Sequence, residues 1–213
     1  MREDGARTRL DIDLRRQQLV DVGMELFAKR PYDEVWVEEI AAAAGVSRGL
    51  LYHYFPTKRD FFVAVVRAQL ERLAELTTPD TSKPALESLR DTMNAYIDYV
   101  EENKHGYISI HRAGIGNDAE VRELLAESYA RDVERILDRL TGGGHAAPVL
   151  RVAVRGWLAF TIGTVIDWIE QPEIDRNELR ELLVQAMKGC VLAALEVDPS
   201  LELPGIREAE AAS

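Results

Sequence analysis

Apolar residues recur along most of this chain at intervals of three and four, the period of helices buried on one side. Leu19, Val22, Leu26 and Phe27 mark a helix over about Leu14–Lys29, which Pro31–Trp36 interrupts. Val37, Ile40, Ala41 and Ala44 give a short helix its inner side, and Gly45 stands where the chain has to turn. Leu51 and Phe55, four apart, are the inner side of a second short helix, which Pro56 stops. A longer helix over Lys58–Thr77 carries Phe61, Phe62, Val65, Val66, Leu70, Leu73 and Leu76.

The polar stretch Thr78–Pro84 then breaks the pattern. A helix marked by Leu86, Leu89, Met93, Tyr96, Ile97 and Val100 follows it, then a short one over about Gly106–Gly114 and a third over about Ala119–Leu140. Three glycines from Gly142 end this series, and the most apolar stretch, residues 147–169, reads as a buried helix. Arg151 and Arg155 leave it too short an uncharged run for a membrane span. Asp175 and Glu178 form a capping box for the last helix, whose stripe is Leu179, Leu182, Leu183, Ala186, Met187, Cys190, Val191 and Ala194. The pattern is that of an all-α chain of about nine helices with tails over residues 1–11 and 197–213, both expected to be flexible.

At 213 residues and 46% hydrophobic, the chain can bury a sizeable core in one medium domain or two small ones. Met1–Arg16 is polar throughout, which argues against a secretory leader, and the lone Cys190 fits a reducing cytoplasm. The net charge is -11, yet its distribution is uneven. Residues 1–60 carry ten Lys/Arg against eleven Asp/Glu, while residues 61–213 carry sixteen against twenty-six. Residues 40–59 contain no acid, and the net acidity lies almost entirely in residues 61–213. With a Debye length of about 8 Å, a distant acidic body need not cancel a local basic surface.

Two short helices joined through Gly45, with Val46 at the angle and Ser47 capping the second, have the layout of a helix-turn-helix. The second exposes Arg48, Tyr52 and His53, which packing alone explains poorly and reading of a DNA major groove explains well. The strings Leu26-Phe27-Ala28, Tyr32, Val37-Glu38-Glu39-Ile40-Ala41, Ala44-Gly45-Val46-Ser47 and Leu51-Tyr52-His53-Tyr54-Phe55, with Lys58, carry a closer likeness. From Arg16 to about Arg67 the chain resembles the N-terminal domain of the TetR family of bacterial transcriptional regulators. That resemblance implies a helix-turn-helix DNA-binding domain at residues 12–57, a connecting helix at 58–77 and a helical effector-binding and dimerisation domain at 78–196. It also implies a homodimer on a double-stranded operator, most often as a repressor.

Arg48 is the expected base contact, bidentate to guanine, and Gly49 would let the backbone come near. Leu50 and His53 would add thymine-methyl or base-edge contacts, while Ser47, Tyr52, Tyr54 and Lys58 would position the helix on phosphates. The chain departs from the family in placing Val35 and Trp36 where small hydroxyl residues usually cap the first short helix, and Trp36 is expected to pack on the first helix, the alternative being an indole N–H donated to a phosphate. Leu50 is a second departure.

On a helical wheel, Gly156, Ala159 and Gly163 form a stripe of small residues that would admit another helix. With Leu179, Leu183, Met187, Cys190 and Val191 they are expected to build a four-helix dimer interface. The effector site that the resemblance implies would be lined by Met93, Tyr96, Tyr99, Ile108, His111, Arg112, Tyr129, Trp157, Phe160, Thr161, Thr164 and Trp168, an amphiphilic wall suited to an apolar small molecule. The alternative is a helical lipid-binding or carrier protein without operator-specific DNA binding. No HExxH, GxSxG or Walker-type glycine loop occurs, so neither an enzyme nor a cofactor or metal is expected, and no membrane partner.

Overall fold

The computed structural model describes residues 3–111 and 118–204, with side chains from residue 12 onward. Among these residues there are nine α-helices and one 3-10 turn. They are α1 (Glu3–Lys29), α2 (Val37–Ala43), α3 (Arg48–Tyr54), α4 (Lys58–Leu76), α5 (Ala85–Glu102), α6 (Lys104–His111), α7 (Ala119–Thr141), α8 (Pro148–Glu170) and α9 (Arg176–Val197). The chain forms two compact units: Met1–Arg72 with Glu102–Leu125, and Leu73–Glu101 with Ala126–Ser213. The first unit therefore takes in α6 and the start of α7 as well as the helix-turn-helix.

The core of the first unit is aromatic. Phe27 of α1 meets Phe62 of α4 edge-on at 5.2 Å, Tyr32 meets Phe62 at 4.7 Å, and Phe55 meets Phe61 at 5.0 Å. Leu19, Val35, Ile40, Leu51, Val65 and Val66 fill the space around these rings. Gly23 lets α1 and α4 approach closely, since a Cβ there would lie 2.6 Å from Phe61 Cζ and from Val65 Cγ2. On α6, Gly106 likewise sits against the Phe27 carbonyl.

Two boundaries differ from expectation. Helix α1 begins at Glu3 rather than near Leu14. No proline lies between Met1 and Lys29, and a helix already nucleated further on extends through such residues at little cost. At the other end, part of the expected flexible tail is ordered. The Leu201 N–H donates to the Asp198 carbonyl, Ser200 is held by the Asp198 carboxylate, and Leu203 is buried. Its apolar side chain outweighs the composition of the segment around it.

In the second unit α8 packs along α9. The Trp157 indole N–H donates to the Leu183 carbonyl at 2.9 Å, and the Tyr129 hydroxyl of α7 donates to the Arg155 carbonyl of α8 at 2.6 Å. Arg90 of α5 donates to Glu181 of α9, and Arg176 pairs with Asp98. Helix α9 opens on Asp175, whose carboxylate accepts from the Asn177 and Glu178 N–H groups while Glu178 accepts from the Asp175 N–H, as the capping box requires. Helix α8 is long and apolar enough to cross a membrane by length and composition. Its Leu150, Val154, Trp157, Thr161 and Val165 stripe is buried within this unit, but the rest of the helix is not, so the buried helix expected over residues 147–169 is buried along one side only.

Gly23→Ala should lower stability by about 1–3 kcal/mol, because the added methyl displaces two core side chains. Urea unfolding followed by circular dichroism measures it, and an unchanged midpoint would mean that α1 and α4 are not in contact at Gly23.

Candidate nucleic-acid interface

The α2–α3 turn is closed by local chemistry. Gly45 adopts φ +63°, a conformation glycine takes without strain. The Gly45 N–H donates to Ala42 O and the Val46 N–H to Ala41 O at 2.9 Å. Ser47 accepts from the Leu50 N–H at 3.2 Å, capping α3 as expected. Thr57 and Asp60 form a reciprocal cap for α4, with Asp60 N–H donating to Thr57 Oγ1 and Thr57 N–H to the Asp60 carboxylate. Helix α2 lacks such a hydroxyl, and the Glu39 carboxylate accepts the Trp36 N–H instead at 3.1 Å. Glu39 also takes both arms of the Arg30 guanidinium, at 2.8 and 3.3 Å, which ties α2 to the end of α1. This pairing holds Glu39 below the usual carboxylate range.

Leu51 and Phe55 are buried, each with 2% of its surface exposed, and they fix the inner side of α3. Ser47, Arg48, Gly49, Leu50 and His53 are exposed and Tyr52 is half-buried. Tyr54 packs against the core, edge-on to His53 at 5.5 Å. A Cβ on Gly49 would meet only Ser47 Oγ, at 3.9 Å, so the fold does not require a glycine there. Trp36 is 65% exposed, against the expectation that it packs on α1. Val35 takes the buried position, and the chain's extended course at Trp36 turns the indole outward.

Two cations stand differently from expectation. Arg48 is not alone on its surface: its guanidinium lies 2.7 Å from the Glu38 carboxylate of α2 and 5.5 Å from the centre of the Tyr52 ring. Tyr52 first and Glu38 second raise its pKa further. Lys58 is turned into the fold, donating to the Tyr32 carbonyl at 2.7 Å, with the ammonium 4.2 Å from the Tyr32 ring centre. Burial lowers its pKa, and Asp33 offsets part of that. In this position Lys58 fastens α4 to the 3-10 turn at Tyr32–Glu34 rather than facing a phosphate. Its neighbour Arg59 pairs with Asp118, donating from Nη2 at 2.7 Å, and with Glu120 at 3.2 Å.

The residues expected around an effector fall in both units. Ile108 and His111 are on α6 in the first; Arg112 lies outside the described residues. The His111 ring lies tilted against Tyr107 with centres 4.5 Å apart, and burial pushes its imidazole down to about 4. In the second unit Met93, Tyr96, Tyr99, Trp157 and Thr161 are buried, while Tyr129, Thr164 and Trp168 are half-buried. The Trp168 indole donates to Ile174 O. Phe160 leaves the expected wall: it is 42% exposed, on the side of α8 that holds Gly156, Ala159 and Gly163. A 100° step per residue places position 160 one turn from 156 and apart from the 157–161 stripe.

The expected dimer set divides in the same way. Gly156, Ala159 and Gly163 are exposed, and Cys190 is half-buried. Leu179, Leu183, Met187 and Val191 are buried within the protomer, where α9 packs on α8, so they are not free to meet a second copy. Among the described residues, the large apolar side chains left open on these two helices are Val152 and Phe160 on α8 with Leu182, Leu192 and Val197 on α9.

Lys58→Ala should cost about 1–2 kcal/mol of stability by leaving the Tyr32 carbonyl without its partner, measured by urea unfolding, and should leave the salt dependence of DNA binding unchanged. His111 carries a pH dependence. Its folded pKa, about 4, lies below the ordinary value near 6.5, so the unfolded chain binds the extra proton between the two. Its stabilisation is therefore complete above pH ~6.5 and is lost as pH falls towards 4, by up to about 1.4 kcal/mol per unit. His111→Gln should flatten that part of the stability profile.

Comparison with known proteins places this geometry. Residues 19–65 match the family model of bacterial regulatory proteins, tetR family, and residues 86–189 match that of the tetracyclin repressor-like C-terminal domain. A tetR-family transcriptional regulator from Streptomyces coelicolor has a crystal structure that superposes with a TM-score of 0.84, at 29% identity, over 93% of this chain and 89% of that one. The HTH-type transcriptional activator FasR of Mycolicibacterium smegmatis is 27% identical over 85% of this chain and 84% of its own. Bacillus subtilis FadR, solved in complex with stearoyl-CoA, shares the fold, with a TM-score of 0.58 and 22% identity over 82% of this chain and 97% of that one. With both halves matched and the helix-turn-helix built as described, the chain belongs to the TetR family of bacterial transcriptional regulators.

Proposed function

We propose that this regulator binds a near-palindromic operator as a homodimer, represses by occupying it, and is released by a largely apolar small molecule. The observation that carries the DNA reading is the outer side of α3. Arg48, Gly49, Leu50 and His53 are exposed there although nothing in the packing needs them. Arg48 would meet guanine, Gly49 would admit the DNA backbone, and Leu50 would meet a thymine methyl. Ser47 and Tyr52 would set the register on phosphates.

The open apolar surface of α8 and α9 supports a second copy as partner. Val152, Phe160, Leu182 and Leu192 are costly to leave in water, and Gly156 and Gly163 leave room for a close crossing. An effector is supported by the interior of the second unit, where Thr161 and Ser88 have buried hydroxyl oxygens without hydrogen-bond partners. Each such group costs about 1–3 kcal/mol, which the polar end of an otherwise apolar ligand would offset. An acyl chain is the class we favour, in keeping with the stearoyl-CoA named for the FadR complex. Repression needs only occupancy of the operator. Activation is the second reading, because the relative FasR is named an activator.

Footprinting upstream of the protein's own gene should show two protected half-sites about one helical turn apart, ~34–36 Å. Long-chain acyl compounds should remove the protection, and Arg48→Ala should cost ~1–3 kcal/mol and relax the preference at one base pair per half-site. Sedimentation equilibrium should give a dimer. A reporter that falls silent on deletion of the gene would replace repression with activation, and an absent footprint would leave a helical carrier protein.

A further inference from the structure

Glu38 and Glu39 are adjacent acids on α2 with different surroundings. Glu39 is occupied by Arg30 and by the Trp36 N–H, which makes it part of the fold. Glu38 points to the reading face, where it meets Arg48 at 2.7 Å, and the two side chains remain 58% and 60% exposed. The turn between their helices is already held by Gly45, by the Val46 N–H to Ala41 O bond and by the Ser47 cap, so the fold does not depend on this pair.

A carboxylate is an odd group to find here. DNA carries a negative charge about every 1.7 Å along its axis, and a surface built only for affinity would expose Arg48 alone. We propose that Glu38 is a specificity-determining residue: it holds Arg48 away from phosphates, releases it to guanine, and then accepts a hydrogen bond from the exocyclic amine of a cytosine. The magnitudes support this order of preference. An exposed ion pair shifts an equilibrium by about fivefold at most, which is comparable to one phosphate contact at physiological salt and leaves little to gain from that exchange. A bidentate contact to guanine O6 and N7 discriminates by roughly 5- to 150-fold and displaces the pair. Cytosine N4 is the major-groove donor that a carboxylate accepts from, so Glu38 keeps a partner once Arg48 has moved.

The inference rests on the DNA-binding reading above, and one experiment separates the two. The full-length chain and its Glu38→Gln, Glu38→Ala and Arg48→Ala variants are titrated with a mixed-sequence duplex of about three helical turns, ~30 base pairs, over a range of salt. The same proteins then select from a pool of duplexes of that length with randomised sequence. Both Glu38 variants should bind the mixed duplex about 3- to 10-fold tighter, with a salt slope steeper by about 0.9 per reading domain as Arg48 becomes free to neutralise a phosphate. In the selected pools they should lose the cytosine and much of the preference for guanine, while Arg48→Ala loses the guanine and gains no non-specific affinity. Glu38 variants with unchanged slope and selection, alongside an Arg48→Ala that loses the guanine, would overturn the role of Glu38 and leave the DNA reading standing. A wild-type chain that selects no sequence would overturn both.

Discussion

Helix α3 is seven residues long, too short to persist by itself in water, so it exists only while its inner side is buried. Leu51 and Phe55 do this, with Phe55 edge-on to Phe61 of α4 at 5.0 Å and Arg16 of α1 over its other flank at 5.0 Å from the ring centre. That constraint determines the rest of the reading face. Once 51 and 55 point inward, the 100° step per residue leaves 49, 50 and 53 outward, Arg48 is exposed at the first turn of the helix, and the Gly45 turn with the Ser47 cap sets the angle at which they are presented. The same buried contacts that give the helix its stability also aim its exposed side chains.

The start of α4 follows α3 by a few residues and is held from two directions within the first unit. Lys58 bonds to the Tyr32 carbonyl, and Arg59 reaches the Asp118 carboxylate, which also accepts the Glu120 N–H at the first turn of α7. Asp118 is largely shielded, with 17% of its side chain exposed, and Arg59 holds its carboxyl below the ordinary range. Isolated surface pairs contribute little, but this one joins a helix cap to a two-armed guanidinium contact and so fixes a direction as well as a distance. The first turn of α7 and the first turn of α4 are therefore joined directly within the first unit.

What the sequence made legible is what depends on near neighbours. Gly45, Ser47, the Leu51–Phe55 spacing and the Asp175–Glu178 box each act within about one turn, so their residue types announce the structure. What stayed hidden depends on which distant surface covers a given side. The stripe Leu179, Leu183, Met187, Val191 is visible as a stripe, but periodicity does not say whether a neighbouring helix or a second protomer buries it; α8 of the same protomer does. Phe160 and Trp157 are three apart and both aromatic, yet one is exposed and the other hydrogen-bonded inside. Lys58 carries the residue type of a phosphate contact, and only the position of the Tyr32 carbonyl, twenty-six residues away, shows where the amine goes. The Glu38–Arg48 pair escaped for the same reason: an acid-free window over residues 40–59 looks basic until the helix angle brings residue 38 beside residue 48.

That pair changes the electrostatic account of the protein. A net charge of -11 already weakens attraction to any duplex at long range, and the guanidinium on the reading helix is cancelled by its neighbour at short range. Less sequence-independent attraction then remains, and in the proposed complex more of the stability would come from base contacts and from the presence of both half-sites. For a regulator this is a useful condition. A complex held by a modest surplus is dissolved by a modest coupling, of the ~1–3 kcal/mol that an effector typically provides, whereas one held by a broad basic surface would stay on DNA whatever the second unit binds. On the proposed mechanism the acidic body and the paired arginine would serve one end, keeping DNA affinity within the range that a small-molecule effector is able to control.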